Sequence, residues 1–230
     1  MPPLDLPFYI NFVFIATLLL TLALFLRATK YSKVVVLISF IWILVQGGLA
    51  YSGFYSDIAE NPIKFGWGVP PTLLLILAVF VSKKGKLWIN TMDIKTLTLL
   101  HTVRIPVELV LYWLFLYKAI PELMTFEGRN FDILAGITAP FVYYFGFIKN
   151  KIGKKGILIW NIISLLLLLN IVINAVLSAP LPFQQFAFEQ PNIAIFHFPF
   201  IWLPTFIVPV VLFSHLATIS RLANPANGLQ

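Results

Sequence analysis

The chain lacks cysteine altogether and has few charged residues. None of its 230 residues is Cys, and only 11% are Asp, Glu, Lys or Arg. The absence of thiols excludes disulfides, thiolate metal sites, iron–sulfur clusters and a cysteine nucleophile, so redox chemistry would need a bound cofactor. Hydrophobic residues make up 60% of the chain and the mean hydropathy is +0.91. This composition excludes a soluble domain of this length and predicts a polytopic membrane protein.

Seven apolar runs bounded by charged residues predict transmembrane helices. The runs are continuous rather than alternating, which excludes the strands of a membrane barrel. The third is short unless it begins near Phe65, which would place Pro70 and Pro71 in its first turn, where proline is tolerated. The first follows a segment without the basic region of a signal peptide, so we interpret it as a retained helix. The predicted spans are residues 8–27, 34–53, 69–82, 94–117, 132–148, 156–178 and 199–220.

The loops between these runs alternate in charge. Those following spans one, three, five and seven carry Arg27, Lys30, Lys33, Lys83, Lys84, Lys86, Lys95, Lys149, Lys151, Lys154, Lys155 and Arg221. The opposite side carries Asp5, Asp57, Glu60, Glu122, Glu127, Asp132 and Glu189, with Lys64, Lys118 and Arg129 as its cations. The positive-inside rule then places the amino terminus outside and the carboxyl terminus in the cytoplasm. The fold class predicted is an all-α membrane protein, a seven-transmembrane-helix bundle.

We see no internal repeat and no soluble domain. Residues 1–223 are expected to form one transmembrane helical domain, and residues 224–230 a short disordered cytoplasmic tail. The net charge of +7 is explained by the basic loops, so no nucleic-acid partner is implied. The expected partner is a lipid bilayer, with the plasma membrane, and a bacterial inner membrane in particular, as the favoured location. A homo-oligomer or a larger membrane complex is an open alternative.

Three ionisable side chains lie inside the fourth run. His101, Arg104 and Glu108 have the three-and-four spacing that places them on one stripe of an α-helix. Ionisable groups within a membrane segment indicate a functional site, because burying charge in lipid is costly. Pro106 cannot donate to the carbonyl of Thr102 and is expected to kink the helix beside this stripe. In the functional interpretation Glu108 carries a proton or cation, and Arg104 is either its counter-ion or the anchor for an anionic solute. The alternative is a purely structural Arg–Glu pair.

Other polar residues extend this hypothesis. Gln46, Asn170 and Asn174 lie in apolar runs and are predicted either to line an outward-facing cavity or to join helices. Residues 180–198 are too apolar for a solvated linker; they form either an interfacial loop or a re-entrant lid with a polar lining of Gln184, Gln185, Glu189 and Asn192.

A second hypothesis concerns the histidines. His101 and His215 fall at nearly equal depth in helices of opposite direction, whereas His197 falls at the outer boundary. A three-histidine metal site is therefore not expected, but His101 and His215 could ligate a haem iron or a divalent metal if their helices touch.

Three functions follow as alternatives. The first is transport or binding of a small anionic or proton-coupled solute, without enzymatic activity. The second is a haem- or metal-dependent membrane enzyme or electron carrier that uses His101 and His215. The third is a structural or assembly subunit of a membrane complex. A retinal protein is excluded because the seventh run has no lysine for a Schiff base, and the motifs of rhomboid proteases, P-loops and HExxH enzymes are absent.

Overall fold

The fold is all-helical in the computed structural model, which describes residues 4–223. Six helical segments of this part of the chain are long and apolar enough to cross a membrane. They are Phe8–Ala28 (α1), Lys33–Tyr51 (α2), Pro62–Val81, Ile94–Leu116, Lys154–Leu177 (α8) and Leu203–Ala223. The predicted tail at residues 224–230 lies outside the described residues. Six of the seven predicted runs therefore match a helix of sufficient length, and the protein is compatible with a multi-pass membrane protein.

Three of these segments are not continuous α-helices. A 3-10 turn, Pro62–Trp67, precedes helix α3 (Val69–Val81), whose first turn contains Pro70 and Pro71 as predicted. Helix α5 (Ile94–Leu100) and helix α6 (Arg104–Leu116) are joined by a 3-10 turn at His101–Val103. This irregularity lies close to where Pro106 predicts one. The last segment begins with a π-helix, Leu203–Ile207, followed by helix α9 (Val208–Ala223).

The remaining predicted span is shorter than the others. Helix α7 (Ile133–Tyr143) has 11 residues and continues into a five-residue π-helix, Tyr144–Ile148. At 1.5 Å per residue this segment reaches only about 24 Å, less than the roughly 30 Å hydrocarbon core of a bilayer. If this segment crosses the same membrane layer as the longer helices, its first residue must therefore lie deeper in the membrane than their ends do.

A short amphipathic helix at the basic side was not predicted. Helix α4 (Lys83–Thr91) begins at Ser82, whose hydroxyl accepts a 3.0 Å hydrogen bond from the backbone N–H of Gly85. A second cap follows, because the Asp93 carboxylate accepts from the Lys95 N–H at the start of α5. Two caps within twelve residues separate α4 from its neighbours, so this basic segment is helical rather than an open loop.

The segment α5–α6 lies at the centre of the bundle. It packs against α1, α7 and α9, and Leu97, Leu100 and Val103 are fully buried. The helix that carries the predicted ionisable stripe is thus surrounded by protein. By contrast, α3 contains no buried residue and α2 only four, so these two helices form the apolar periphery.

The apolar segment 180–198 packs onto the end of α6. The N–H groups of Ile193 and Ala194 both donate to the carbonyl of Ala119, and Asn192 Nδ2 donates to the carbonyl of Ala175. Ala194 is fully buried. Of the polar lining predicted for this segment, Asn192 alone is buried, Gln184 bonds to nearby carbonyls, and Gln185 and Glu189 are exposed. Residues 180–198 therefore pack over the end of α6 mainly through apolar side chains.

Candidate functional site

Arg104 is the hub of a buried polar network. It lies one residue from the midpoint of Ile94–Leu116, and the residue is 2% exposed. Its Nη1 donates to Asp132 Oδ1 at 2.9 Å and to the carbonyl of Ser164 at 3.2 Å. Its Nη2 lies 2.7 Å from His215 Nε2. Arg104 thereby connects α6, α7, α8 and α9.

The partner of Arg104 is Asp132, not Glu108. The Arg104–Asp132 pair is one of two ion pairs in residues 4–223, and neither involves Glu108. The Arg–Glu pair predicted from the helical stripe is wrong because the guanidinium extends toward α7 and α9. Residues four apart on a helix share a face, but a long side chain such as that of arginine can also reach groups on neighbouring helices.

Asp132 reaches Arg104 because α7 is short and closely packed. An Asp directly before a helix usually caps it, but the Asp132 side chain makes no cap hydrogen bond. Gly136, one turn later, allows the close approach: a Cβ there would lie 3.1 Å from Arg104 Cβ and 3.0 Å from Ile105 Cγ1. The Asp132 carboxylate therefore binds the Arg104 guanidinium rather than capping α7.

Glu108 is held by an amide instead of a cation. Asn130 Nδ2 lies 2.7 Å from each carboxylate oxygen of Glu108 and also donates to the carbonyl of Met124. Asn130 Oδ1 accepts from the backbone N–H of Asp132 at 3.0 Å. Glu108 is 1% exposed and Asn130 is fully buried. Asn130 therefore links the unpaired carboxyl of Glu108 to the ion pair of Asp132.

The tautomer of His215 follows from its two partners. Arg104 Nη2 can only donate, so His215 Nε2 accepts. His215 Nδ1 lies 3.0 Å from Asn161 Oδ1, and the Asn161 amide is oriented by its Nδ2, which donates to the carbonyl of Ile157. An amide oxygen only accepts, so Nδ1 carries the proton of His215.

His101 stacks on His215 within the bundle. The ring centroids are 3.8 Å apart and the planes differ by 13°, and Trp160 contacts the His101 ring edge-on at 5.6 Å. Both ring nitrogens of His101 are buried without a hydrogen-bond partner. The two helices thus touch, as the cofactor hypothesis requires.

The geometry of this pair does not suit a haem. Axial ligands from two histidines lie on opposite faces of a macrocycle, and rings stacked at 3.8 Å leave no space for one between them. Both nitrogens of His215 are also engaged, one of them by a cation. Within residues 4–223, no cluster of three or more His, Cys, Asp or Glu side chains is arranged to hold a metal ion.

A small cavity lies beside the network. Its volume is about 100 Å³, and Glu108 and Asp132 are the ionisable side chains among the apolar ones that line it. Met124 contributes to its wall from the segment that precedes α7, and Ile195 from the segment 180–198. At roughly 30 Å³ per water, the space suits about three waters or a solute smaller than benzene, which fills a cavity of about 150 Å³.

The three amides predicted to line a vestibule lie elsewhere. Gln46 donates to the carbonyl of Trp67 and accepts from the Tyr55 hydroxyl at 2.8 Å. Asn170 is exposed and donates to the carbonyl of Arg129, and Asn174 donates to the carbonyl of Asn170. None of the three lines the cavity. Gln46 and Asn170 join segments of the chain, which is one of the two alternatives that the sequence left open, whereas Asn174 bonds within α8.

Asp132, Asn130 and Asn161 are the members of the network that sequence reasoning missed. In the charge pattern of the sequence, Asp132 counts as a loop acid. The one signal for Asp132 in the sequence is the length of the run 132–148. A run this short can cross the membrane beside longer helices only if its ends lie deeper, which places its acidic first residue inside the bundle. Nothing in the sequence pairs Asn161 with His215.

The fold and this network define a helical, multi-span type of protein with a buried polar centre. The chain belongs to the family described as a domain of unknown function (DUF8737), which matches residues 63–223. That range contains every residue of the network. No curated protein and no solved structure matches the chain.

Proposed function

We propose that the protein is a seven-span membrane protein that binds, and carries across the membrane, a small solute together with a proton or as a cation. The proposal rests on the environment of Glu108. This residue is 1% exposed, its carboxyl has no cation within 4.0 Å among residues 4–223, and it lines a cavity. A buried charge without a partner is costly, so such a carboxyl is neutralised by whatever enters beside it.

The topology proposed is seven spans with the amino terminus outside. Helix α7 with its π-helix would be the fifth span, crossing from Asp132 to the basic turn at Lys149 and Lys151. If this segment did not cross, that basic turn would share a side with Glu122 and Glu127, against the charge pattern of the other loops. Burial of Asp132 against Arg104 explains how a short segment fits the layer.

The solute is a proton or small cation rather than an anion. Arg104 is the candidate anion anchor, but its Nη1 and Nη2 already contact Asp132, Ser164 and His215, and it does not line the cavity. The cavity offers two carboxyls and apolar walls. Arg104 then acts as the fixed counter-charge of Asp132, which leaves Glu108 as the group free to exchange a proton.

The experiment measures proton binding directly. Infrared difference spectra of the reconstituted protein, recorded over a pH series, are expected to show the carbonyl stretch of a protonated carboxyl that disappears in Glu108→Gln. Glu127→Gln, an exposed acid of the outer segment, is the matched control and is expected to leave that band unchanged. A spectrum in which no titrating band depends on Glu108 would overturn the proposal.

A transport assay completes the test. Vesicles containing the protein and an internal pH dye are challenged with small amines and monovalent cations, and proton flux is recorded for the wild type and Glu108→Gln. Flux in the wild type and its loss in the variant are expected. Equal coupled flux in both proteins would exclude Glu108 as the carrier.

A further inference from the structure

A large groove lies at the apolar periphery of the described chain. Its volume is about 660 Å³, and it lies between α2 and α3, with the N-terminal part of the last span as its floor. Its walls come from α2 (Val34, Val35, Ile38, Ser39, Trp42), α3 (Pro71, Thr72, Leu75, Ile76, Val79) and the last span (Thr205, Phe206, Pro209, Val210, Phe213), with Phe25, Ser32 and Trp88 near one end.

The walls suit a hydrocarbon chain better than a polar solute. The Thr72 and Thr205 hydroxyls both donate to carbonyls of their own helices, at 2.7 Å, so they offer the groove little free hydrogen-bonding capacity. No residue of α3 is buried. Because an unfilled space deprives its lining of contacts, an occupant of the groove would stabilise the position of α3.

One end of the groove is strongly basic. Ser32 and Val34 line it on either side of Lys33, and Val79 and Trp88 line it on either side of Lys83, Lys84 and Lys86. These lysines, with Arg27 and Lys30, are exposed, and none pairs with a carboxylate within 4.0 Å in residues 4–223. The sequence has no Asp or Glu in residues 6–56 or 61–92. The chain thus places several cations beside the groove end, and none of them has an ion-pair partner among residues 4–223.

The other end is closed by two reciprocal tryptophan hydrogen bonds. Trp42 Nε1 donates to the carbonyl of Thr205, and Trp202 Nε1 donates to the carbonyl of Ile43, each at 2.9 Å. These bonds fix the middle of α2 to the beginning of the last span. On α2 the groove lining runs from Val34, at the basic end, to Trp42, about 12 Å at 1.5 Å per residue, which suits part of one acyl chain below its headgroup.

We propose that this groove is a binding site for an anionic phospholipid, with an acyl chain between α2 and α3 and the phosphate at Lys33, Lys83 and Lys84. Apolar walls hold the chain, and the uncompensated lysines select the headgroup charge. The amphipathic helix α4 carries most of these lysines and places Trp88 at the mouth of the groove. The site needs the bilayer placement proposed above but is independent of the Glu108 network.

Native mass spectrometry of the full chain tests this site. The protein is purified in mild detergent, exchanged with phosphatidylglycerol or phosphatidylcholine, and the bound lipid is counted. One phosphatidylglycerol per chain is expected to be retained in preference to phosphatidylcholine. At about fivefold per lysine near the phosphate, Lys83→Ala/Lys84→Ala is expected to weaken retention by roughly 30-fold. The control, Lys151→Ala/Lys155→Ala, removes the same charge from another basic turn.

A second pair of variants tests the groove itself. Leu75 lines the groove and Leu74 does not, although both are exposed and adjacent on α3. Leu75→Trp is expected to expel the lipid and Leu74→Trp to retain it. Equal losses in the two lysine variants, equal retention of the two lipids, or retention in Leu75→Trp would overturn the site. A dimer that Leu75→Trp alone dissociates would do the same, since a second copy would then fill the groove. Glu108→Gln is expected to retain the lipid, so failure of the proposed function leaves this test unaffected.

Discussion

Arg104 and Asp132 form a buried ion pair, with 2.9 Å between Nη1 and Oδ1, that joins the middle of Ile94–Leu116 to the residue preceding α7. Their side chains are 3% and 7% exposed. Because the same guanidinium contacts His215 and the carbonyl of Ser164, the pair also fixes α8 and α9. Four helices are thus positioned by one cation, and Glu108, connected through Asn130, has no ion-pair partner among residues 4–223.

Removing the charge of Asp132 is expected to destabilise the protein strongly. Asp132→Asn keeps the shape and one acceptor oxygen but leaves Arg104 as an uncompensated buried cation, at a loss of about 3 kcal/mol in the free energy of unfolding. The midpoint of unfolding in a detergent titration measures the effect. Asp57→Asn is the matched control, because Asp57 pairs with Lys64 at the surface, and this hydrogen bond lowers the pKa of its carboxyl. A loss at Asp57 equal to that at Asp132 would contradict the role given to burial.

Exchanging the donor and the acceptor between Glu108 and Asn130 is expected to restore the stability that either substitution alone lowers. Asn130→Asp places a second carboxyl against Glu108 and removes its donor, so we expect a loss of about 2 kcal/mol in unfolding free energy. In the double variant Asn130→Asp/Glu108→Gln, the new amide of residue 108 can donate to the new carboxylate. Thermal unfolding of the four proteins gives the coupling energy. Additive losses would show that the two side chains do not interact as the structure describes.

Two adjacent glycines of α2 are expected to respond oppositely to alanine. A Cβ on Gly47 would lie 2.7 Å from the Trp202 ring, whereas a Cβ on Gly48 meets no atom within 4 Å. Trp202 is held by its hydrogen bond to Ile43, so Gly47→Ala is expected to lower stability by about 1 to 3 kcal/mol. Gly48→Ala is expected to be neutral or to stabilise by up to about 1 kcal/mol, since alanine favours the helix. Both are measured by thermal unfolding, and a similar loss at the two positions would be the contrary result.

The seven-span topology predicts which loops share a side of the membrane. Because the chain has no native cysteine, single-cysteine variants can be labelled without background. Cysteines replacing Lys33 and Lys151 are expected to react with an impermeant maleimide from the same side of oriented vesicles, and one replacing Glu127 from the other. Reaction of the positions 127 and 151 from one side would show that Ile133–Ile148 does not cross.

The sequence by itself determined the helical class and the position of most helices. Continuous apolar runs can satisfy their backbone groups in lipid only as helices, so length and hydropathy locate them with errors of a few residues, as at Phe8–Ala28 and Ile94–Leu116. The sequence also identified the stripe His101, Arg104 and Glu108, because charge in an apolar run is conspicuous without any knowledge of neighbours.

Only the tertiary structure decided which partners these side chains have. The pairing of Arg104 with Asp132 instead of Glu108 depends on the close approach of α7 at Gly136, and the stacking of His101 on His215 depends on how α9 packs against α5. Periodicity within one helix shows which side chains share a face, but not what lies opposite. Partners across 28 and 111 residues of chain are chosen by helix packing, and a short polar residue before a span looks like a loop residue until packing draws it inward.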